Sequence, residues 1–207
     1  MKEAITTFLT DTVGRVVDYF CLNLIFMITC LPIITIGCSS SAMYYVIFHM
    51  LEDKDAHLTR QYLKAWKDNF VKSTILWIFA LFLLALSYEC ISFLSHMGLG
   101  TMTLLFYALL LLFLYLLCST LIFFFSLQAR FENTLKQTLK NAWILAMRNP
   151  KISIVGIFIE LFPVILAFLA PGLTYTIIGA MLLIGFAFQF YLLSRLFFPL
   201  YEMLAEA

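Results

Sequence analysis

ISIVGIFIELFPVILAFLAPGLTYTIIGAMLLIGFAFQFYLLS, residues 152–194, carries one charged side chain, Glu160. A helix needs about 20 mostly apolar residues to cross a hydrocarbon layer about 30 Å thick. The stretch is long enough for two crossings, hinged at the turn signal Pro171-Gly172. Residues 73–128 show the same pattern around a lone Glu89. Inside lipid every backbone N–H and C=O needs an internal partner, which these runs can find as spanning helices. The expected fold class is all-α, a polytopic transmembrane helix bundle forming one domain over residues 1–207.

Composition points to the same solvent. Of the 207 residues 63% are hydrophobic and only 12% charged, against roughly 25% charged in soluble chains. A water-soluble globular fold is excluded, and a net charge of +1 offers no basic excess for nucleic acid. In a membrane protein the placement of Lys and Arg matters more than their sum. Lys54, Arg60, Lys64, Lys67 and Lys72 form one cluster, and Arg130, Lys136, Lys140, Arg148 and Lys151 another. The turns around His96 to Thr101 and Ala170 to Thr174 contain neither residue type. The positive-inside rule therefore predicts that segments 52–72 and 129–151 are cytoplasmic, together with the C-terminus.

Five spans follow, at about 16–38, 73–95, 101–127, 152–170 and 173–197. The first is the least regular, because Leu31-Pro32-Ile33-Ile34-Thr35-Ile36-Gly37 interrupts it and a small-residue run, Cys38 to Ala42, follows. Proline removes a backbone donor and breaks a helix. Residues 31–51 then either cross or re-enter, and the side of the N-terminus stays open between these readings. The mixed charges of residues 1–18 precede no clean small-residue cleavage site, so the first apolar stretch is expected to remain in the mature chain.

The two basic segments read as amphipathic helices rather than loops. From Thr59, Tyr62, Leu63, Trp66 and Phe70 line one side while Arg60, Lys64, Lys67 and Asp68 line the other. From Ala129 to Arg148, Phe131, Leu135, Leu139, Trp143 and Met147 recur at four-residue spacing, and Asn149-Pro150 stops the helix. Glu132 and Lys136 stand in the favourable order for a one-turn ion pair on that helix. Such faces pack in the headgroup layer, under their own bundle, or against a soluble partner. The candidate partner-contact residues are Trp66, Lys67, Phe131, Lys136, Lys140 and Trp143.

Within the spans, Glu160 and Gln189 are the intramembrane polar candidates. An acidic residue mid-helix costs about 2.5 to 3.5 kcal/mol on insertion scales, so it is expected to face the bundle interior, neutral or paired. Pro163 removes the donor for the carbonyl of Ile159, and Gln189 returns to a similar depth on the next span. Pro32, Gly37 and Pro163 mark the structural breaks. His49, Asp53 and His57 would share a face on a continuous helix, yet Glu52 to Asp55 reads as a solvated loop, so no metal site is expected. Cys21, Cys30, Cys38, Cys90 and Cys118 lie in or beside apolar segments with no Cys-x-x-Cys and are expected to be buried, inert thiols. No phosphate loop, nucleophile elbow or dinucleotide fingerprint is present in the sequence, so neither a cofactor nor catalysis is expected.

The segment Leu31 to Gly37 leading to Ala42-Met43-Tyr44-Tyr45, and above all ARFENTLKQTLKNA at residues 129–142, resemble the YesL-like family over essentially the whole chain. This is a domain-of-unknown-function family of bacterial integral membrane proteins. The resemblance implies a multi-pass protein of the bacterial plasma membrane with no catalytic residues to carry over. By gene neighbourhood it implies a place beside carbohydrate ABC importers and their sensor kinases. The expected function is a non-catalytic accessory or assembly subunit in carbohydrate uptake, with an importer permease or ATPase as partner besides the lipid bilayer, or a homo-oligomer. The alternatives are a small independent transporter using Glu160 and Gln189, or a membrane regulator of a sensor kinase.

Overall fold

Pro32 cannot donate into a helix and pushes the residue before it toward extended backbone, and the chain breaks there. The first helix, α1 (Lys2–Cys30), stops short of it, a 3-10 turn covers Ile33–Thr35, and α2 (Ile36–Leu51) follows. The computed structural model describes residues 2–52, 58–97 and 101–205, with side chains at 14–52, 58–96 and 102–205. After α2 come α3 (Leu58–Met97), α4 (Thr101–Arg130), α5 (Leu135–Arg148), α6 (Pro150–Leu169) and α7 (Thr174–Ala180). A π-helical turn, Met181–Gly185, joins α7 to α8 (Phe186–Ala205). Among the described residues there is no strand. Among the described residues five stretches are long and apolar enough to cross a membrane: Ile33–Leu51, Leu58–His96, Met102–Arg130, Pro150–Leu169 and Pro171–Ala205. The fold is an all-α membrane-type bundle.

Three boundaries differ from the sequence reading, each for a local reason. The span placed at 16–38 straddles the Pro32 break, and the apolar stretch of spanning length lies on its far side, at Ile33–Leu51. The amphipathic segment from Thr59 and the span from residue 73 form one unbroken 40-residue helix, α3, since no Gly or Pro interrupts residues 58–97. The second amphipathic helix starts at Leu135 rather than Ala129: Thr134 has extended backbone (ψ 152°) and its hydroxyl accepts from Gln137 N at 3.4 Å, capping α5. Glu132 thus lies in the link before α5, outside the helix, and cannot form the one-turn helical pair with Lys136.

α2 is the axis of the bundle, and the apolar stretch Ile33–Leu51 is mostly buried, whereas Pro150–Leu169 is mostly not. Its small residues explain how it comes to be enclosed. A Cβ added at Gly37 would sit 2.8 Å from the Trp77 Cβ and 2.9 Å from the Ser73 carbonyl oxygen, so α2 and α3 meet at backbone distance. The patch from Gly37 to Ala42 is buried in its own bundle. Around it Met43, Tyr44, Ile47, Phe123, Phe124, Leu193, Phe197 and Tyr201 are fully enclosed. The outward faces of α3, α4 and α6 are large apolar side chains such as Phe82, Leu111, Phe162 and Phe168, the surface that lipid covers.

Candidate functional site

Three of the backbone defects in the described helices that cross the apolar layer carry a side chain from elsewhere; Pro199, inside α8, is a further break. At the first, the Thr35 hydroxyl donates to the Thr29 carbonyl at 2.6 Å, and Trp77 Nε1 donates to the Ile33 carbonyl at 2.8 Å. At the second, Pro163 leaves the Ile159 carbonyl without its helical donor, and Gln189 Nε2 of α8 donates to it at 2.8 Å and to the Glu160 carbonyl at 3.3 Å. The third is the π turn. Asn23 of α1, fully buried, donates through Nδ2 to the carbonyls of Met181 (3.1 Å) and Leu182 (2.9 Å) and accepts from Ala187 N at 3.0 Å. In lipid an unpartnered peptide group is costly, and these contacts remove that cost where the regular ladder fails.

Hydroxyl and amide chains join α2 to its neighbours. The hydroxyls of Thr29 and Tyr62 are 2.6 Å apart, Ser39 donates to Thr29 at 3.0 Å, and Trp66 Nε1 donates to Ser39 at 3.2 Å. Further along, Ser41 and Ser73 hydroxyls are 3.1 Å apart, Ser73 donates to Gln128 Oε1 at 2.9 Å, and Gln128 Nε2 donates to Asn69 at 3.1 Å. Each chain ties helices together.

The two basic segments converge. A cleft of about 750 Å³ is lined by Lys64, Asp68, Asn69 and Lys72 of α3, Gln128 and Arg130 of α4, and Glu132 to Leu135 of the link and α5. Arg130 is ion-paired to Glu52 and lies over the rings of Phe48 and Phe198, at 5.7 and 5.2 Å from their centroids. Lys72 Nζ donates to the Asn133 carbonyl at 3.1 Å, which ties α3 to the link.

Of the partner-contact candidates, Trp66 is turned inward onto Ser39, and Phe131 packs edge-on against Tyr201 at 6.0 Å. Lys67, Lys136, Lys140 and Trp143 are exposed. Trp143 and Leu139 border an apolar pocket with Phe79, Leu83, Phe113 and Leu116 of α3 and α4. Gln189, buried, has its amide nitrogen on the α6 backbone. Glu160 lies on the stripe Ser153, Gly156, Glu160, Pro163, Ala167 that faces the bundle, while Phe158, Leu161, Phe162 and Val164 point outward. Asp53 and His57 lie outside the described residues. Among those described, no three His, Cys, Asp or Glu come together to hold a metal.

Sequence reasoning missed Asn23 and Tyr44. Asn23 was detectable as a lone amide inside an apolar run; nothing in Tyr44-Tyr45 separates the enclosed ring from its neighbour. Residues 19–89 match a family described as "Protein of unknown function, DUF624". Comparison with curated proteins and with solved structures finds no match.

Proposed function

We propose that this chain is a non-catalytic accessory or assembly subunit of a bacterial membrane uptake system, docking its partner at the basic end of the bundle. The observation that carries the reading is the convergence of two basic segments, distant in sequence, on one charged cleft held by the Arg130 to Glu52 pair and the Lys72 to Asn133 bond. By the positive-inside rule this end faces the cytoplasm of a plasma membrane, where a soluble or peripheral partner can reach it. Lys67, Lys136 and Lys140 stand free at the surface, suited to steering an acidic partner. The likeness to the YesL-like family supplies the class of system, a carbohydrate ABC importer, with its permease or ATPase as the partner. Crosslinking from Lys67 and Lys136 in native membranes, with the attached chains identified by mass spectrometry, tests this. Importer subunits are the expected catch, and recovery of copies of this chain alone overturns the reading.

A second reading, a small transporter acting alone or as an oligomer, is favoured by Glu160 on the inward stripe of α6. With Gln189 committed to the α6 backbone, Glu160 is the polar group left to line a path. Solute flux into liposomes containing only this protein is its test.

A further inference from the structure

The groove between α3 and α4, bordered by Leu139 and Trp143 of α5, holds a cavity of about 200 Å³. Ala80 of α3 with Thr120 and Leu121 of α4 form a buried floor, and Phe79, Phe113 and Trp143 stand exposed at the mouth. The one hydroxyl in that lining, Thr120 Oγ1, donates to the Leu116 carbonyl of its own helix at 2.7 Å. Apart from the Trp143 indole, the lining side chains offer a polar solute nothing to bond. Cavities walled by such side chains stay dry and take up apolar guests.

The α5 border of this mouth is basic. Lys136 and Lys140 are exposed. Each precedes a lining residue, Leu139 or Trp143, by three positions, so each is its surface neighbour on a regular helix. Lys136 and Trp143, seven residues apart, lie within about 20° of each other about the helix axis. Among the described residues neither lysine has an ion pair or hydrogen bond. Segment 129–151 holds five Lys or Arg and one acid, Glu132, which lies in the link rather than on α5. The tryptophans differ in the same sense. Trp66 and Trp77 commit their indole N–H groups to Ser39 and to the Ile33 carbonyl. Trp143 makes no such bond among the described residues and is 47% exposed, as suits an indole at a membrane interface.

An occupant of this place must supply hydrocarbon to the groove and negative charge within a helical turn of its mouth. A sugar supplies neither, an acidic soluble protein only the charge, and a zwitterionic lipid only the hydrocarbon. We propose that the groove seats one acyl chain of an anionic phospholipid whose phosphate rests between Lys136 and Lys140. The site belongs to the chain alone and does not depend on docking at the basic end, for which Lys67 of α3 remains.

The test is quenching of tryptophan fluorescence in phosphatidylcholine nanodiscs that hold the full chain. Brominated-chain phosphatidylglycerol and, separately, brominated-chain phosphatidylcholine are added in rising fraction. The Trp143 signal is the difference between the wild type and Trp143→Phe. Quenching by the phosphatidylglycerol is expected to saturate, to need about tenfold less lipid than quenching by the phosphatidylcholine, and to be reversed by unbrominated phosphatidylglycerol. Lys136→Gln combined with Lys140→Gln should remove the preference, whereas Lys64→Gln combined with Lys67→Gln should keep it. Equal quenching by both lipids makes the groove part of the ordinary lipid surround and overturns the proposal. A preference that survives loss of Lys136 and Lys140 overturns it too. So does one lost equally with Lys64 and Lys67, which assigns the effect to the charge of the whole basic end. A Trp143 signal that neither lipid reaches shows a second copy of the chain over the groove, and overturns the proposal as well.

Discussion

The surroundings of Asn23 and of Glu160 are both polar sites inside apolar helices, and they are built on opposite plans. Asn23 donates to two carbonyls and accepts from one N–H around the π turn, and its Nδ2 also donates to the Met27 sulfur at 3.7 Å. Among the described residues Glu160 makes no hydrogen bond through its side chain, and the hydroxyls of Tyr44 and Ser194 are without a partner. The contrast teaches that a polar residue in a spanning helix does not by itself mark a functional site. Amides here restore a broken hydrogen-bond ladder, which is a structural task that a neutral group with both a donor and an acceptor performs well. A carboxylate cannot donate to an orphaned carbonyl while ionised, so Glu160 serves no such repair, and its presence calls for a different explanation.

The contrast predicts a graded series of stabilities, measured as unfolding free energies in mixed micelles. The largest loss is expected for Asn23→Leu, which strands two carbonyls and one N–H. At roughly 1 kcal/mol for each bond the cost is about 3 kcal/mol. A cost below about 1 kcal/mol would mean that α7 and α8 relax into a regular helix, and Asn23 would then follow the turn rather than hold it. Gly37→Ala comes next. Its methyl meets the Trp77 Cβ at 2.8 Å and main-chain oxygen of Ser73 at 2.9 Å, neither of which is the end of a flexible side chain. Overpacking of this kind costs about 1 to 3 kcal/mol. Little or no loss would show that α2 and α3 are free to separate, and that the small-residue patch does not fix their spacing.

How much of this was legible in the chain depends on what wrote it there. The spanning helices were legible because uncharged runs of that length have few alternatives, and Glu160 because one charge in such a run stands out. The break at Pro32 and the orphaned Ile159 carbonyl follow from the chemistry of proline alone. The π turn was not legible, since Met-Leu-Leu-Ile-Gly at 181–185 has the composition of a regular apolar helix and the turn depends on Asn23, which is distant in sequence. The inward rotation of Trp66 escaped a local reading for a similar reason. Its helical face was clear, but its acceptor, Ser39, lies on a helix whose position depends on the Gly37 contact.

The defect at Pro163 allows the comparison to be sharpened within one helix. In Pro163→Ala residue 163 regains an N–H, which can donate to the Ile159 carbonyl and make Gln189 redundant there. Gln189→Leu should therefore cost about 1 kcal/mol in the wild-type background and close to nothing in Pro163→Ala, a coupling that a double-mutant cycle reads directly. Equal costs in both backgrounds would assign Gln189 a partner other than the α6 backbone.

The smallest effect is expected where the residue is most conspicuous. Glu160→Gln leaves shape nearly unchanged and removes a group whose carboxylate has no hydrogen bond or ion pair to lose. Burying that group is itself unfavourable, so the variant should be as stable as the wild type or more stable, by up to about 1 kcal/mol. A loss comparable to that of Asn23→Leu would show that the carboxylate holds the bundle together, and the distinction between repair and idle polarity would collapse. With stability unchanged, selection for folding gives no reason to keep an acid at position 160, and its reason must lie in what the protein does.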